Sequence, residues 1–368
     1  MHTNTLLVTS MEESTGKTAV TLALGRLAQE RGLSVGYMKP KGTRLQSNVG
    51  KTLDEDPMLA RELLDLDSEM HQMEPIVYSP TFIDGAIRGQ EDPEELGGIV
   101  EEHFGTLAAD TDLMLVEGGG SWATGGIVEL TDPDIAARLD ASVLLVAGYE
   151  QPNSVDDVLV AADAFGDRLA GVLFNGVADA AFDELEQEVV PFLERRDVPV
   201  IGVVSRERDL AGVTVDALAA ELGAEDLVAG DRDGYVERFL VGAMGGDAAL
   251  RYFRRTKNAA VITGGDRSEI VTAALEAPGV VAIILTGGHR PTPAVLGNAE
   301  EKGVPVFLAT GDTLSVVDRA EEVVNTGRAR DAETIDRMRD LLNDHVDVDA
   351  LLGSPSIEET EADGDSDV

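Results

Sequence analysis

An apolar segment at residues 6–9 runs straight into Ser10-Met11-Glu12-Glu13-Ser14-Thr15-Gly16-Lys17-Thr18, and that run opens an amphipathic stretch reaching Arg31. A buried strand, a short loop and a helix that begins at Gly-Lys-Thr constrain the fold more than any other feature. They set a helix N-terminus at the end of a sheet strand, where loop amides and the helix dipole gather positive potential. The spacing fits a phosphate cradle in which Lys17 reaches the outer phosphates and the Thr18 hydroxyl ligates magnesium. Two features depart from the usual pattern. Met11 stands where the first glycine is expected. Glu12 and Glu13 place negative charge beside an anion site, which is unfavourable unless they face solvent, a cation or a second substrate. The alternative is a Gly-Lys-Thr run that merely starts a helix.

The residues that follow weigh against that alternative. Short apolar runs at 6–9, 35–38, 113–116, 143–147, 171–174 and 200–204 read as buried strands. Between them, 18–31, 93–107, 155–165 and 182–195 have helical spacing of Ala, Leu and Val. This pattern predicts an α/β fold, a doubly wound parallel sheet with helices on both faces. Lys39-Pro40 ends the second strand, and Asp54 and Asp56 are expected in the next loop. Glu117 ends a strand just before Gly118-Gly119-Gly120, where ligands bind in open α/β sheets. A carboxylate there completes the coordination of a magnesium held by Thr18; a solvated strand end is the bland reading.

A chain of 368 residues exceeds the size of one core, so two domains are expected. From about residue 205 the pattern changes. Helical segments are expected at 215–222 and 235–244, and strands at 259–263, 280–285 and 306–308. Thr263-Gly264-Gly265-Asp266-Arg267 follows one strand and Thr286-Gly287-Gly288-His289-Arg290 the next. Glycines let backbone amides approach an anion, and the arginines after them can grip phosphate or carboxylate in a fork; tight strand-to-helix turns are the alternative. Gly264, Gly265, Asp266, Arg267, Gly287, Gly288 and Arg290 form a candidate effector site. The expected division is a P-loop domain at 1–204, a smaller α/β domain at 205–325, a helical segment at 326–353 and a disordered acidic tail at 354–368.

The formal net charge is −40, from 69 acidic and 29 basic residues. Charge of that sign argues against a nucleic-acid partner. Self-repulsion at this density is relieved in molar salt, where the screening length falls to ~3 Å, so the composition predicts a halophilic protein. A mesophilic protein with an acidic tail is the alternative, but the carboxylates are spread through every segment. Arg251, Arg254, Arg255 and Lys257 form an unusual basic cluster, either an anion-binding patch or a locally neutralised helix. No apolar stretch approaches the ~18 to 20 residues of a membrane span, and no leader stands at the N-terminus, so a cytoplasmic location without membrane contact is expected. With no cysteine, disulfides, thiolate metal sites and cysteine nucleophiles are excluded. The five histidines show no metal spacing.

The segment "LLVTSMEESTGKTAVTLALGRLAQERGLSVGYMKPKG", with "VEGGGSW" and "GVLFNGV" further on, resembles the dethiobiotin synthetase and cobyrinate diamide synthetase group of P-loop proteins. It resembles more closely the N-terminal region of long phosphate acetyltransferases, the phosphotransacetylase family, in the stand-alone haloarchaeal type. Residues 206–325 are similar to the DRTGG domain, whose motif stands here as Gly264-Gly265-Asp266-Arg267 and loosely as Leu285-Thr286-Gly287-Gly288. The resemblance implies ATP phosphates on Thr15, Gly16, Lys17 and Thr18, and magnesium near Thr18, Asp54 and Glu117. It also implies Lys39 on the second-substrate side, with Lys17 the second catalytic lysine, and Asn175 near the adenine edge. Lys39 as a strand-end lysine and Asn175 as a turn residue are the plain readings. For the second domain it implies regulation and partner contact more than chemistry.

An acyl-transferring domain needs roughly 300 further residues, a second pair of domains by size. Direct formation of acetyl phosphate is therefore not expected. The expected function is an ATP- and magnesium-binding regulatory or accessory protein that senses a nucleotide or small anionic metabolite and acts on a partner enzyme of acetyl-CoA or related metabolism. A homodimer is expected, as the related enzymes build their sites across one. The rival is an ATP-dependent carboxylate or carbamate–amine ligase, for which in-line phosphoryl transfer needs mainly positioning and charge neutralisation. Whether the chain turns over ATP, as a weak ATPase or a ligase, stays open.

Overall fold

Every residue of β1 (Asn4–Ser10) except the first is buried, as required of a strand covered by helices on both faces. The structure, a computed structural model, describes residues 3–352 except 14, 44, 49–50, 208–209, 211, 233 and 328–331. The acidic tail expected at 354–368 lies outside the described residues, as does Ser14. Residues up to Ser205 together with those from Ile335 onward form one unit, and Arg206–Thr334 form a second.

In the first unit β1 continues through α1 (Lys17–Glu30) into β2 (Val35–Met38). Then follow α2 (Glu55–Leu63), α3 (Pro80–Ile87), α4 (Pro93–Ala108) and β3 (Leu113–Glu117). α5 (Asp132–Arg138) precedes β4 (Ser142–Ala147), and α6 (Val155–Phe165) precedes β5 (Leu169–Val177) and β6 (Val200–Ser205). The six strands are parallel in the order β6-β5-β4-β1-β3-β2. This is the doubly wound sheet that the alternating pattern predicts. Chain order reverses around β1, which lies between β3 and β4, and ligands of such sheets gather outside the strand ends at that reversal.

Two local expectations are corrected. Asp54 and Asp56 do not lie in a loop: Asp54 caps α2 by accepting the Asp56 N–H, and Asp56 sits in the first helical turn. The helix expected at 182–195 is broken, with a π-helical turn at Leu185–Val189 between helices Asp179–Glu184 and Val190–Glu194. Pro191 brings no N–H and crowds the preceding turn, which a wider turn accommodates.

The second unit holds α7 (Val215–Glu221), β7 (Glu225–Val228), β8 (Arg238–Val241) and α8 (Gly246–Phe253). β9 (Ala259–Gly264), α9 (Ser268–Leu275), β10 (Val280–Thr286), α10 (Pro293–Lys302), β11 (Val306–Leu308) and α11 (Thr313–Gly327) follow. Its sheet runs β7-β11-β10-β9-β8, parallel except for the β7 edge. Alternation along β10 sends Ile283 and Leu285 to one core, with Phe253 and Ile270, and Ala282 and Ile284 to the other, with Leu218 and Phe307. The helix expected at 235–244 is instead strand. Tyr235, Val236, Phe239 and Val241 are aromatic or β-branched, and pairing of β8 along β9 decides the outcome.

The last described helix residues, from Ile335 to Leu352, belong to the first unit. In α12 (Ala332–His345) Ile335, Met338 and Leu342 are buried, and Asp336 pairs with Arg26 at 2.9 Å. Among the described residues no helix is long and apolar enough to cross a membrane.

Candidate functional site

Gly16 turns the chain from the loop into α1 with φ +87°, and among the described residues no side chain caps that helix. A Cβ at Gly16 would lie 2.5 Å from Asn175 Nδ2, so conformation and space both demand glycine. Asn175, at the end of β5, donates to the Thr15 carbonyl at 2.8 Å and so holds the loop. The first turn of α1 carries no acidic residue, and Glu12 and Glu13 are exposed. The amides of that turn and the positive helix end therefore suit an anion. Lys17 folds back over the loop, donating to the Gly120 carbonyl at 2.6 Å. Burial lowers its pKa, with Glu117 and Asp132 working the other way.

Beneath the loop the hydroxyl of Thr18 donates to Glu117 Oε1 at 2.8 Å, and Tyr37 donates to Glu117 Oε2 at 2.9 Å. Glu117 is fully buried. Burial and the nearby Asp56 charge push its pKa up to about 7, against the pull of Lys39 and Lys17. Lys39 Nζ stands 2.8 Å from Asp54 Oδ2 and 3.8 Å from Glu117 Oε1, and it also donates to Asp56 Oδ2. Burial disfavours the Lys39 ammonium, but Asp56, Glu117 and Asp54 together raise its pKa above the usual lysine value. Asp54 is held from several sides: its Oδ2 accepts the Thr43 N–H at 2.9 Å, and its own N–H donates to Glu74 Oε2 at 3.0 Å. Glu74 is buried, and among the described residues its Oε1 has no hydrogen-bond partner. Its pKa rises to about 7, chiefly through burial.

Thr15, Gly16, Lys17, Thr18, Lys39, Asp54, Glu117 and Asn175 thus lie in one neighbourhood around the ends of β1, β2, β3 and β5. Thr18 and the carboxylates are hard oxygen donors of the kind magnesium takes. Among the described residues, however, no three histidine or carboxylate side chains are grouped so as to hold a metal ion. The carboxylates are arranged around the Lys39 ammonium instead.

Sequence reading missed Tyr37, Glu74, Lys41 and Asp132. Lys41 is fully buried, and its Nζ donates to the carbonyls of Thr124 and Leu130 and pairs with Asp132 Oδ1 at 3.1 Å. Asp132 Oδ2 accepts from Thr9 at 2.6 Å. These contacts tie the loop 118–131, which carries Gly120, to β1 and to the strand end at Lys41. Lys41 sits two residues beyond Lys39 in an alternating stretch, and that spacing was the signal available.

In the second unit Gly264, Gly265, Gly287 and Gly288 stand on adjacent ends of β9 and β10, as expected. Gly265 packs so tightly that a Cβ would lie 1.7 Å from the His289 carbonyl oxygen. Gly287 and Gly288 adopt φ of +76° and +73°. Asp266 turns back beside Gly264, where its Oδ1 would lie 2.6 Å from an added Cβ. Both arginines are engaged with protein groups: Arg267 donates to the Gly242 carbonyl, and Arg290 pairs with Glu225 at 2.6 Å.

Residues 4–214 match the AAA_26 model, an AAA domain, and residues 217–323 match the DRTGG domain. The phosphate acetyltransferase of Pseudomonas aeruginosa is 25% identical over 381 residues, covering 95% of this chain and 52% of that protein. The chain spans about half the length of the phosphate acetyltransferases it matches. The ATP-dependent dethiobiotin synthetase BioD of Chromohalobacter salexigens is 30% identical over 231 residues, covering 58% of this chain and 94% of that protein. A solved structure of the CBS and DRTGG domains of the regulatory region of Clostridium perfringens pyrophosphatase, complexed with the activator diadenosine tetraphosphate, aligns at 17% identity. It covers 38% of this chain and 70% of that one, with a TM-score of 0.29.

Proposed function

The chain belongs to the AAA_26 family of AAA domains and carries a DRTGG domain behind it, and from this we infer that it binds ATP with magnesium in its first unit and serves as a regulatory or accessory protein. The observation that carries the reading is the left-handed Gly16 turn into α1, which no side chain among the described residues caps, with the Thr18 hydroxyl bonded to the buried Glu117 carboxylate. In this reading the amides from Thr15 to Thr18 and the Lys17 ammonium hold the phosphates. Asn175, which already fixes Thr15, stands near the adenine edge, and Thr18, Asp54 and Glu117 hold magnesium. When bound there, magnesium supplies neutralisation of phosphate charge.

Regulation rather than rapid turnover is favoured by Lys39. The lysine expected to meet a second substrate is enclosed by Asp54, Asp56 and Glu117. The strand ends bearing Gly264, Gly265, Asp266, Arg267, Gly287, Gly288 and Arg290 would take a small anionic effector, with a partner enzyme of acetyl-CoA or related metabolism as the output. A homodimer, a cytoplasmic location and a salt-rich milieu belong to the same reading.

A second reading, an ATP-dependent ligase, is favoured by the dethiobiotin synthetases, whose length the chain covers at 94 to 96%. Calorimetric titration with ATP and magnesium in molar potassium chloride tests the common ground: wild type binds, and Lys17→Ala loses binding. Retained affinity in that variant removes the phosphate cradle. ADP release that rises only when an amine and a carboxylate or bicarbonate are added selects the ligase; slow release indifferent to both selects the regulator.

A further inference from the structure

Lys39 stands where a cation site would be. Its ammonium touches the side chains of Asp54 and Asp56 and approaches Glu117 Oε1 at 3.8 Å, and that same oxygen accepts the Thr18 hydroxyl at 2.8 Å. Lys39, Asp54, Asp56 and Glu117 are all buried. Three carboxylates thus converge on one ammonium, from β3 and from the N-terminus of α2, and the Thr18 hydroxyl in the first turn of α1 bonds to one of them. Asp54 and Asp56 are fixed there by the backbone of that helix terminus and by Glu74. Buried carboxylates need a compensating cation, and here the chain supplies its own.

We propose that Lys39 is a resident counter-ion that competes with a divalent cation for Asp54, Asp56, Glu117 and Thr18, so that cation binding releases Lys39 into the site. The inference rests on the magnesium role in the preceding reading and deepens it. A divalent ion and an ammonium both need carboxylate oxygens at contact distance, and two cations within a few ångströms repel strongly in a water-poor site. The carboxylates cannot satisfy both in the arrangement seen, which encloses Lys39. Asp56 becomes a ligand alongside Asp54, and Lys39 becomes available to a bound anion only once the divalent ion has arrived. Lys17 donates to the Gly120 carbonyl rather than to these carboxylates.

Titration of magnesium alone, without nucleotide, into wild type and Lys39→Met in fixed potassium chloride tests the exchange. Removing the competitor should tighten magnesium binding by about tenfold or more, a difference of about 1.4 kcal/mol. The midpoint of thermal unfolding lost in Lys39→Met should be restored by magnesium and not by added potassium of equal ionic strength. Equal or weaker magnesium affinity in folded Lys39→Met overturns the proposal, as does an absence of magnesium binding in both proteins. Should Lys39→Met fail to fold even with magnesium, wild type still decides. Acetylation of Lys39 by an amine-reactive reagent, read by mass spectrometry, should rise on adding magnesium; unchanged or reduced labelling overturns the exchange. The nucleotide reading is tested separately by ATP titration of Lys17→Ala, in which the magnesium response of Lys39 should persist.

Discussion

Replacing Lys41 by methionine leaves the Asp132 carboxylate, only 1% exposed, without its cation, and leaves the Thr124 and Leu130 carbonyls without their donor. Stranding one partner of a buried ion pair costs about 3–5 kcal/mol. The bond from Thr9 at 2.6 Å still helps the carboxylate, which places the expectation at the middle of that range. With a urea slope of about 2 kcal/mol per molar, the first unit should unfold about 1.5 to 2.5 M earlier. Trp122, the sole tryptophan, lies in the loop that Lys41 holds: its N–H donates to Ser10 and its carbonyl accepts from Asp132. Its fluorescence during urea unfolding in fixed potassium chloride therefore reports the affected region directly. The double variant Lys41→Met, Asp132→Asn removes the stranded charge and should recover about 2 kcal/mol, so the two substitutions should be far from additive. A shift under about 0.5 M in Lys41→Met, or an additive cycle, would refute the claim that this pair holds the loop over Lys17.

Gly16→Ala forces a side chain into a left-handed turn at a cost of about 1–2 kcal/mol and pushes on the Asn175 amide; ATP affinity measured by calorimetry should fall about tenfold or more. Glu74 and Glu117 have pKa values raised from 4.5 to about 7. Between those pH values the folded protein retains protons that the unfolded chain has released, so their contribution is full below 4.5 and is lost as pH rises through 7. Urea midpoints at pH 5 and pH 7.5 should show that loss in magnesium-free wild type, and Glu74→Gln should show less of it; equal slopes would exclude the assignment. Arg290→Ala should change stability by less than about 1 kcal/mol, because its pair with Glu225 is more than half exposed. Arg267→Ala, which removes a donor from the Gly242 carbonyl, should cost about 1–2 kcal/mol in the second unit by urea titration.

The first sheet was legible because its central strands are buried on both faces and so read as unbroken apolar runs, whichever residues surround them. All six of its strands fall where the runs 6–9 to 200–204 place them. The strand at Arg238–Val241 was hidden, because Phe239, Leu240 and Val241 also fit a helical period and only pairing with Ala260, Val261 and Ile262 settles the question. The site was legible where chemistry repeats at fixed spacing, as in Gly16-Lys17-Thr18, or where a charge ends a strand, as at Glu117. Glu74 carries no such mark. It reaches Asp54 from a different element 20 residues later in the chain, and its burial follows from the fold. Asp132 was likewise concealed among the chain's many carboxylates, and only its contact with Lys41 separates it from them.

The chain's use of lysine supports this placement of the site. Among 29 basic residues only six are lysine, and Lys17, Lys39 and Lys41 stand together in the first unit. The paired arginines, by contrast, mostly meet carboxylates near the surface: Arg138 pairs with Glu94 and Glu101, and Arg232 with Asp216 and Asp226. A guanidinium is a planar fork suited to side-on carboxylates, whereas an ammonium is a compact charge whose three donors can point to three acceptors. Lys41 uses that geometry on two carbonyls and Asp132, and Lys39 uses it among Asp54, Asp56 and Glu117. Arginine at either position would need a larger, flatter space than these buried acceptors leave. In a chain otherwise dominated by carboxylates, three of the few lysines are therefore placed where the local field must turn positive for an anion to bind at the end of β1.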